Sequence, residues 1–287
     1  MRRFLILFVC VLALATAAAA AETEIPKRPE ELVYGTVEWE IPDADSIRFE
    51  LENGTPVYAL RDTQFPLVNI AVYFRGVRYL VPEGQEGLHS IAGRVWRTGG
   101  AGEFTAAELD EELDFLAANL SIGIGDLTGS VSLNVLSKDL DKAMDLMMTV
   151  LTEPRFQEDR FVKATDDLLQ NMKTRNDNTA SIEAREWRRL LYGEAYFVNR
   201  LPTQASVAAL TPDLAKAFVT SLIRADNIVV AVSGDFDEAA LKKMLEGSIG
   251  ALEKLDKELP PIPQPDHAPE PGVYVVNKED VNQGRVS

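Results

Sequence analysis

The sequence predicts an α+β fold, an antiparallel sheet packed against helices, and three observations carry that prediction. Short alternating segments flank Asn53-Gly54 and Gly125-Asp126. Helical periods fill most of the chain between position 86 and position 222, and one strand-like run, 227–236, returns only after that long helical stretch. Strictly alternating strand and helix would indicate a parallel sheet instead.

Taken in order, IRFELENGTPVYALRD reads as two strands about Asn53-Gly54, a strong short hairpin signal, and FPLVNIAVYFRG as a buried strand. In EGLHSIAGRVWRTGG the apolar residues Leu88, Ile91, Ala92, Val95 and Trp96 fall at i, i+3, i+4, i+7 and i+8. Gly99-Gly100 end the helix, and Ser90, Arg94 and Arg97 share its other face. Thr105 opens a second helix, with Glu108 as its capping-box partner. SIGIGDLTGSVSLNVL reads as two antiparallel strands joined by a short turn. Helices follow in DLDKAMDLMMTVL, RFVKATDDLLQNMKTRNDN, SIEAREWRRLLYG and TPDLAKAFVTSL; the strand NIVVAVSGDF and the helix DEAALKKMLEGSI complete the pattern.

The ends are of another kind. Residues 1–21 join Arg2 and Arg3 to an apolar run and an alanine tract, a secretory signal peptide with cleavage expected near Ala20 or Ala21. The apolar part is too short for a spanning helix. A lipid anchor at Cys10 is disfavoured, because bulky Val9 precedes it. Residues 22–45 form a polar arm, 46–258 the domain, 259–272 a Pro-rich linker, and 273–287 the truncated start of a second domain. The chain is therefore expected to be exported, periplasmic or secreted, with no membrane span after cleavage.

Composition excludes several functions. The formal charge of −16 becomes −18 once Arg2 and Arg3 are removed, which argues against nucleic acid as a partner. Cys10 is the only cysteine, so a thiolate nucleophile, a Cys-type metal site and an internal disulfide are all unavailable to the mature chain. The two histidines, His89 and His267, lie far apart in sequence, whereas an imidazole zinc site usually needs two or three, often at i and i+4. No G-x-S-x-G elbow occurs. The glycines of GIGDLTG (Gly123 to Gly129) lack Walker spacing and read as hairpin glycines. Asp166-Asp167 and Asp110-Glu111-Glu112 point in different directions on their helices and read as solvated faces. Arg185 to Tyr196 reads as an amphipathic helix with Trp187, Leu190 and Leu191 inward and its arginines paired to acids.

The order of these segments resembles the N-terminal half of the insulinase/pitrilysin metallopeptidases. LENGTPVYALRDTQFPLVNIAVYFRGV, GLHSIAGRVWRTGG with TAAELDEELDFLAANLS, RNDNTASIEAREWRRLLYGEAYF and SVAALTPDLAKAFVTSLIRADNIVVAVSGDF carry the likeness, and VNQGRVS resembles the entry to a second homologous domain. Active members carry an inverted H-x-x-E-H motif on the first helix, two histidines binding zinc and the glutamate acting as general base, with a further glutamate ligand on a later helix. Matching Gly87 and Gly99 to the family glycines puts Ser90 and Arg94 at the histidine positions and Gly93 at the base. Asn171, or Gln170 with a small shift, falls at the glutamate ligand. Neutral amides are poor zinc ligands, and a cation at position 94 opposes a divalent ion. The resemblance thus implies no cofactor, zinc being that of active members, and no catalytic residue of this chain's own. It also implies a partner, a zinc-bearing homologous subunit, and a substrate, a peptide or unfolded protein paired to a sheet edge within Asn119 to Leu136. An assembly module without a part in proteolysis is the alternative implied, and a zinc metalloendopeptidase active on its own the least expected.

Overall fold

The computed structural model describes residues 43–255 and 258–279, with Arg28, Leu32 and Val281 individually. The expected signal peptide and almost all of the expected arm lie outside the described residues, as does most of the stretch after Glu279. None of the described helices is long and apolar enough to cross a membrane.

A one-turn helix α1 (Ala44–Ile47) leads into β1 (Arg48–Glu50), which pairs antiparallel with β2 (Pro56–Arg61), Glu50 opposite Pro56. The turn is the expected one: Gly54 takes φ +86°, and Asn53 Oδ1 accepts from Thr55 N–H at 3.0 Å. Strand β3 (Leu67–Arg75) follows, then helices α2 (Leu88–Val95) and α3 (Ala106–Phe115). The capping box is present at the start of α3, Thr105 and Glu108 satisfying each other's backbone N–H groups. The hairpin of β4 (Asn119–Ile124) and β5 (Thr128–Leu136) leads to α4 (Leu140–Thr152), α5 (Glu158–Thr174), α6 (Thr179–Tyr192), α7 (Gln204–Ala208) and α8 (Pro212–Leu222). Strand β6 (Ile228–Gly234) and α9 (Glu238–Gly247) complete the domain.

The α+β class is as the sequence predicts. The sheet has six strands in the order β1-β2-β6-β3-β5-β4. All neighbours run antiparallel except β2 and β6, which are parallel. That exception follows from the long helical crossover before β6, since a parallel pair cannot be closed by a tight turn. Helices cover one face only. Val68, Ile70, Val72 and Phe74 of β3 are buried under them, while Asn69, Tyr73 and Arg75 point to the open face, so the expected fully buried strand is half-buried. Beneath the helices Trp96 is the largest wholly buried side chain. It tilts against Phe74 at 5.8 Å and its Nε1–H donates to Val150 O at 2.9 Å, so the indole is buried without an unmet donor.

Candidate functional site

Helix α2 has the inner face the sequence describes: Leu88, Ile91, Ala92, Val95 and Trp96, just past its end, are each at most 2% exposed. The helix packs against α5, α8 and β4. Its outer residues Ser90 and Arg94 are exposed and Gly93 is half-buried. Asn171 and Gln170 are exposed on α5.

The structure joins the two helices through a charge pair. Arg94 Nη1 donates to Asp167 Oδ2 at 3.0 Å, and Asp167 also receives Lys163 Nζ at 3.2 Å from one turn earlier on α5. Asp167 precedes Asn171 by one helical turn, so the Arg94 guanidinium reaches the helix that carries Asn171. Both side chains are about half exposed, which makes the pair worth little in stability. Gly93 has a separate explanation in packing. A Cβ there would lie 3.0 Å from Ile124 Cβ, because α2 approaches the edge strand closely at this point. A glutamate would have to displace Ile124 before it could serve as a base.

Sequence reasoning did not foresee the surroundings of His89. Its Nδ1 is buried and has no hydrogen-bond partner among the described residues. Burial, helped by the nearby Arg78 guanidinium, lowers its pKa to about 4, against a smaller opposing pull from Asp126. Arg78 itself is anchored, donating to Asp126 at 2.9 Å and to Val198 O at 2.7 Å. His89 is therefore a neutral core-side residue at ordinary pH, and it faces away from Ser90 and Arg94 on the sequence pattern of the helix. His267 lies elsewhere, at Leu190 O.

Beside α2 runs the sheet edge. Strand β4 has no neighbour on its outer side among the described residues. Gly125 N–H donates to Thr128 O, so by antiparallel alternation Leu120, Ile122 and Ile124 turn their backbone groups outward. Arg97 confirms the direction at one end, its Nε donating to Leu120 O at 3.1 Å while its guanidinium also pairs with Asp110. The remaining outward groups lie along the same edge, next to Gly93 on Ile124.

The acidic doublets behave as solvated faces. Asp167 and Asp110 are in ion pairs, and Glu112 binds Lys142 at 2.7 Å. No group of three or more His, Cys, Asp or Glu among the described residues is placed to hold a metal ion. A hydroxyl, a guanidinium and a neutral amide form a donor set unsuited to a divalent cation. One expectation is corrected: helix α6 buries none of its residues, Trp187 being 40% and Leu191 45% exposed. Its arginines do find acids, Arg185 pairing with Glu186 and Arg189 with Glu186 and Glu194.

The candidate site is thus helix α2 beside the open edge of a six-stranded sheet that carries helices on one face. Residues 209–287 match the family model described as the peptidase M16 inactive domain. The fold is similar to the crystal structure of a peptidase M16 inactive domain from Pseudomonas fluorescens, with a TM-score of 0.68 and 19% identity over 76% of this chain and 53% of that one. It is also similar to the periplasmic protease PqqL from Escherichia coli, TM-score 0.67 and 18% identity over 88% of this chain and 29% of that one. A third likeness is to the ferredoxin protease FusC, solved as a mutant with Arabidopsis ferredoxin: TM-score 0.64 and 14% identity over 83% of this chain and 28% of that one. The chain spans about half the length of the first of these and less than a third of the other two. No curated protein matches the sequence.

Proposed function

We propose that this chain is an exported, non-catalytic M16 homologue that presents the edge of β4 to an extended peptide and works with a zinc-bearing homologous subunit that supplies the hydrolytic chemistry. The observation that carries the reading is the contrast at the α2–β4 junction. Where active relatives place two histidines and a glutamate, this chain has Ser90, Arg94 and Gly93, with Arg94 tied to Asp167 and Gly93 filled by Ile124. The edge beside them keeps backbone donors and acceptors free to pair with an added strand, the interaction by which sheet edges bind peptides. A peptide there gains main-chain hydrogen bonds without any reacting group from this chain. The likeness to proteases and the match to an inactive domain support the division of labour, and the apolar leader of 1–21 supports export.

The test is made on the purified mature chain, alone and mixed with a zinc-bearing homologue encoded beside it. Elemental analysis should find no stoichiometric zinc, and an unfolded peptide should be cleaved only in the mixture. Chelator-sensitive cleavage by this chain alone would sink the proposal. Retention of the chain in a membrane complex that contains no peptidase would move the assignment to an assembly module.

A further inference from the structure

We infer that residues 258–279 act as a strap that clamps helix α6, and the turn that joins α5 to it, to the domain. Helix α6 benefits from such a clamp because it is amphipathic yet has no fully buried residue, so hydrophobic burial holds it only weakly. The strap meets the domain at three points. Leu259 Cδ1 lies 2.9 Å from where a Cβ on Gly76 would stand, and only the bare glycine lets it seat there, next to Leu80. The His267 ring lies against Gly193, whose Cβ, if it had one, would be 3.1 Å from the ring's Cγ. His267 Nε2 also meets Leu190 O at 2.9 Å. That carbonyl belongs to the last turn of α6, where helix carbonyls lack internal partners; because a carbonyl only accepts, Nε2 must carry the proton. At the other end of α6, Lys278 Nζ donates to Asn176 O at 2.9 Å, in the turn between α5 and α6.

The first two anchors flank a ladder of rings. Tyr79 meets Phe197 at 5.9 Å, Phe197 meets Tyr196 at 4.6 Å, and Tyr196 stacks on Tyr192 at 5.4 Å. Tyr79 stands beside Gly76 and Tyr192 beside Gly193. From Leu259 to His267 the chain is Pro-rich and without helix or strand, and at the polyproline rise it would reach about 25 Å, enough to pass along the whole ladder. Prolines lower the entropy lost in laying such a segment on a surface. The strap therefore satisfies a backbone group at each end of α6. The Lys278 contact falls two residues beyond the end of α5, the helix that carries Asp167, the partner of Arg94, so the strap also holds the C-terminal end of that helix.

Hydrogen exchange followed by mass spectrometry tests this on the whole chain, comparing it with a Leu259→Ser/His267→Ala double variant and, separately, with Lys278→Ala. The double variant is expected to exchange amides of 179–192 about five- to tenfold faster, as loss of roughly a kcal/mol of local stability requires, with 67–75 and 128–136 unchanged. Lys278→Ala should speed exchange at 174–178. Unchanged protection of 179–192 in the double variant overturns the inference. So does a uniform rise that includes the sheet strands, which would mean general destabilisation.

Discussion

Helices α2 and α6 carry the same kind of sequence, an apolar stripe with a tryptophan on it and arginines opposite, yet they end in different environments. Trp96, at the close of α2, is wholly buried, whereas Trp187 on α6 is 40% exposed. The difference lies in what each stripe meets. Helix α2 is pressed between the sheet and helices α5 and α8, while α6 packs on the turn 197–199 and is tied down through Asn199, Gly193 and the 258–279 segment. Amphipathicity states that a helix can bury a face; the neighbours decide whether it does.

The largest effect that sharpens this comparison is packing. Trp96→Ala should cost about 3–5 kcal/mol, because it opens a cavity against Phe74 and leaves Val150 O without its donor. Trp187→Ala should cost less, because that side chain is already 40% exposed. Urea titration of both variants checks the ratio, and equal losses would break the comparison.

The next effect is acid sensitivity within α2. His89 has a pKa of about 4 in the folded protein against 6.5 ordinarily, so between those values the unfolded chain binds the extra proton. Stability should be full above about pH 6.5 and fall as pH drops toward 4, by up to about 3 kcal/mol for this group. Denaturation midpoints measured across that window should flatten in His89→Gln. An unaltered slope in the variant would place the acid response elsewhere.

The smallest effect concerns the outer face of α2. A double-mutant cycle on Arg94 and Asp167, each changed to Ala, should give a coupling below about 1 kcal/mol, because both groups are half in water. A coupling of 2 kcal/mol or more (roughly thirtyfold) would mean that this pair, and not packing, fastens α2 to α5.

The elements were legible where local chemistry and burial agree. Asn53-Gly54 made its turn, Thr105 and Glu108 made their capping box, and the inner residues of α2 are the buried ones. The half-exposed face of β3 was less legible: Leu67 to Arg75 is apolar enough to read as wholly buried, and only its place in a sheet with one covered face leaves Tyr73 and Arg75 in water. For the candidate site, the sequence could name Ser90, Gly93, Arg94 and Asn171 through the resemblance, but it could not show that Arg94 reaches Asp167 across seventy-three residues. Nor did any local signal place His89 beside Arg78, which lies eleven residues earlier in the chain and on a different element.

The sequence by itself determined which residue types are present, a single cysteine and two separated histidines among them. It also determined the periods that make each helix and hairpin, because those depend on contacts within a few residues. Only the tertiary structure decided the parallel pairing of β6 with β2, the exposed edge of β4, the fit of Ile124 against Gly93, and the seating of His267 at the end of α6. Each of these joins residues far apart in the chain, and close approach between distant segments is set by how whole elements pack, which no local pattern encodes.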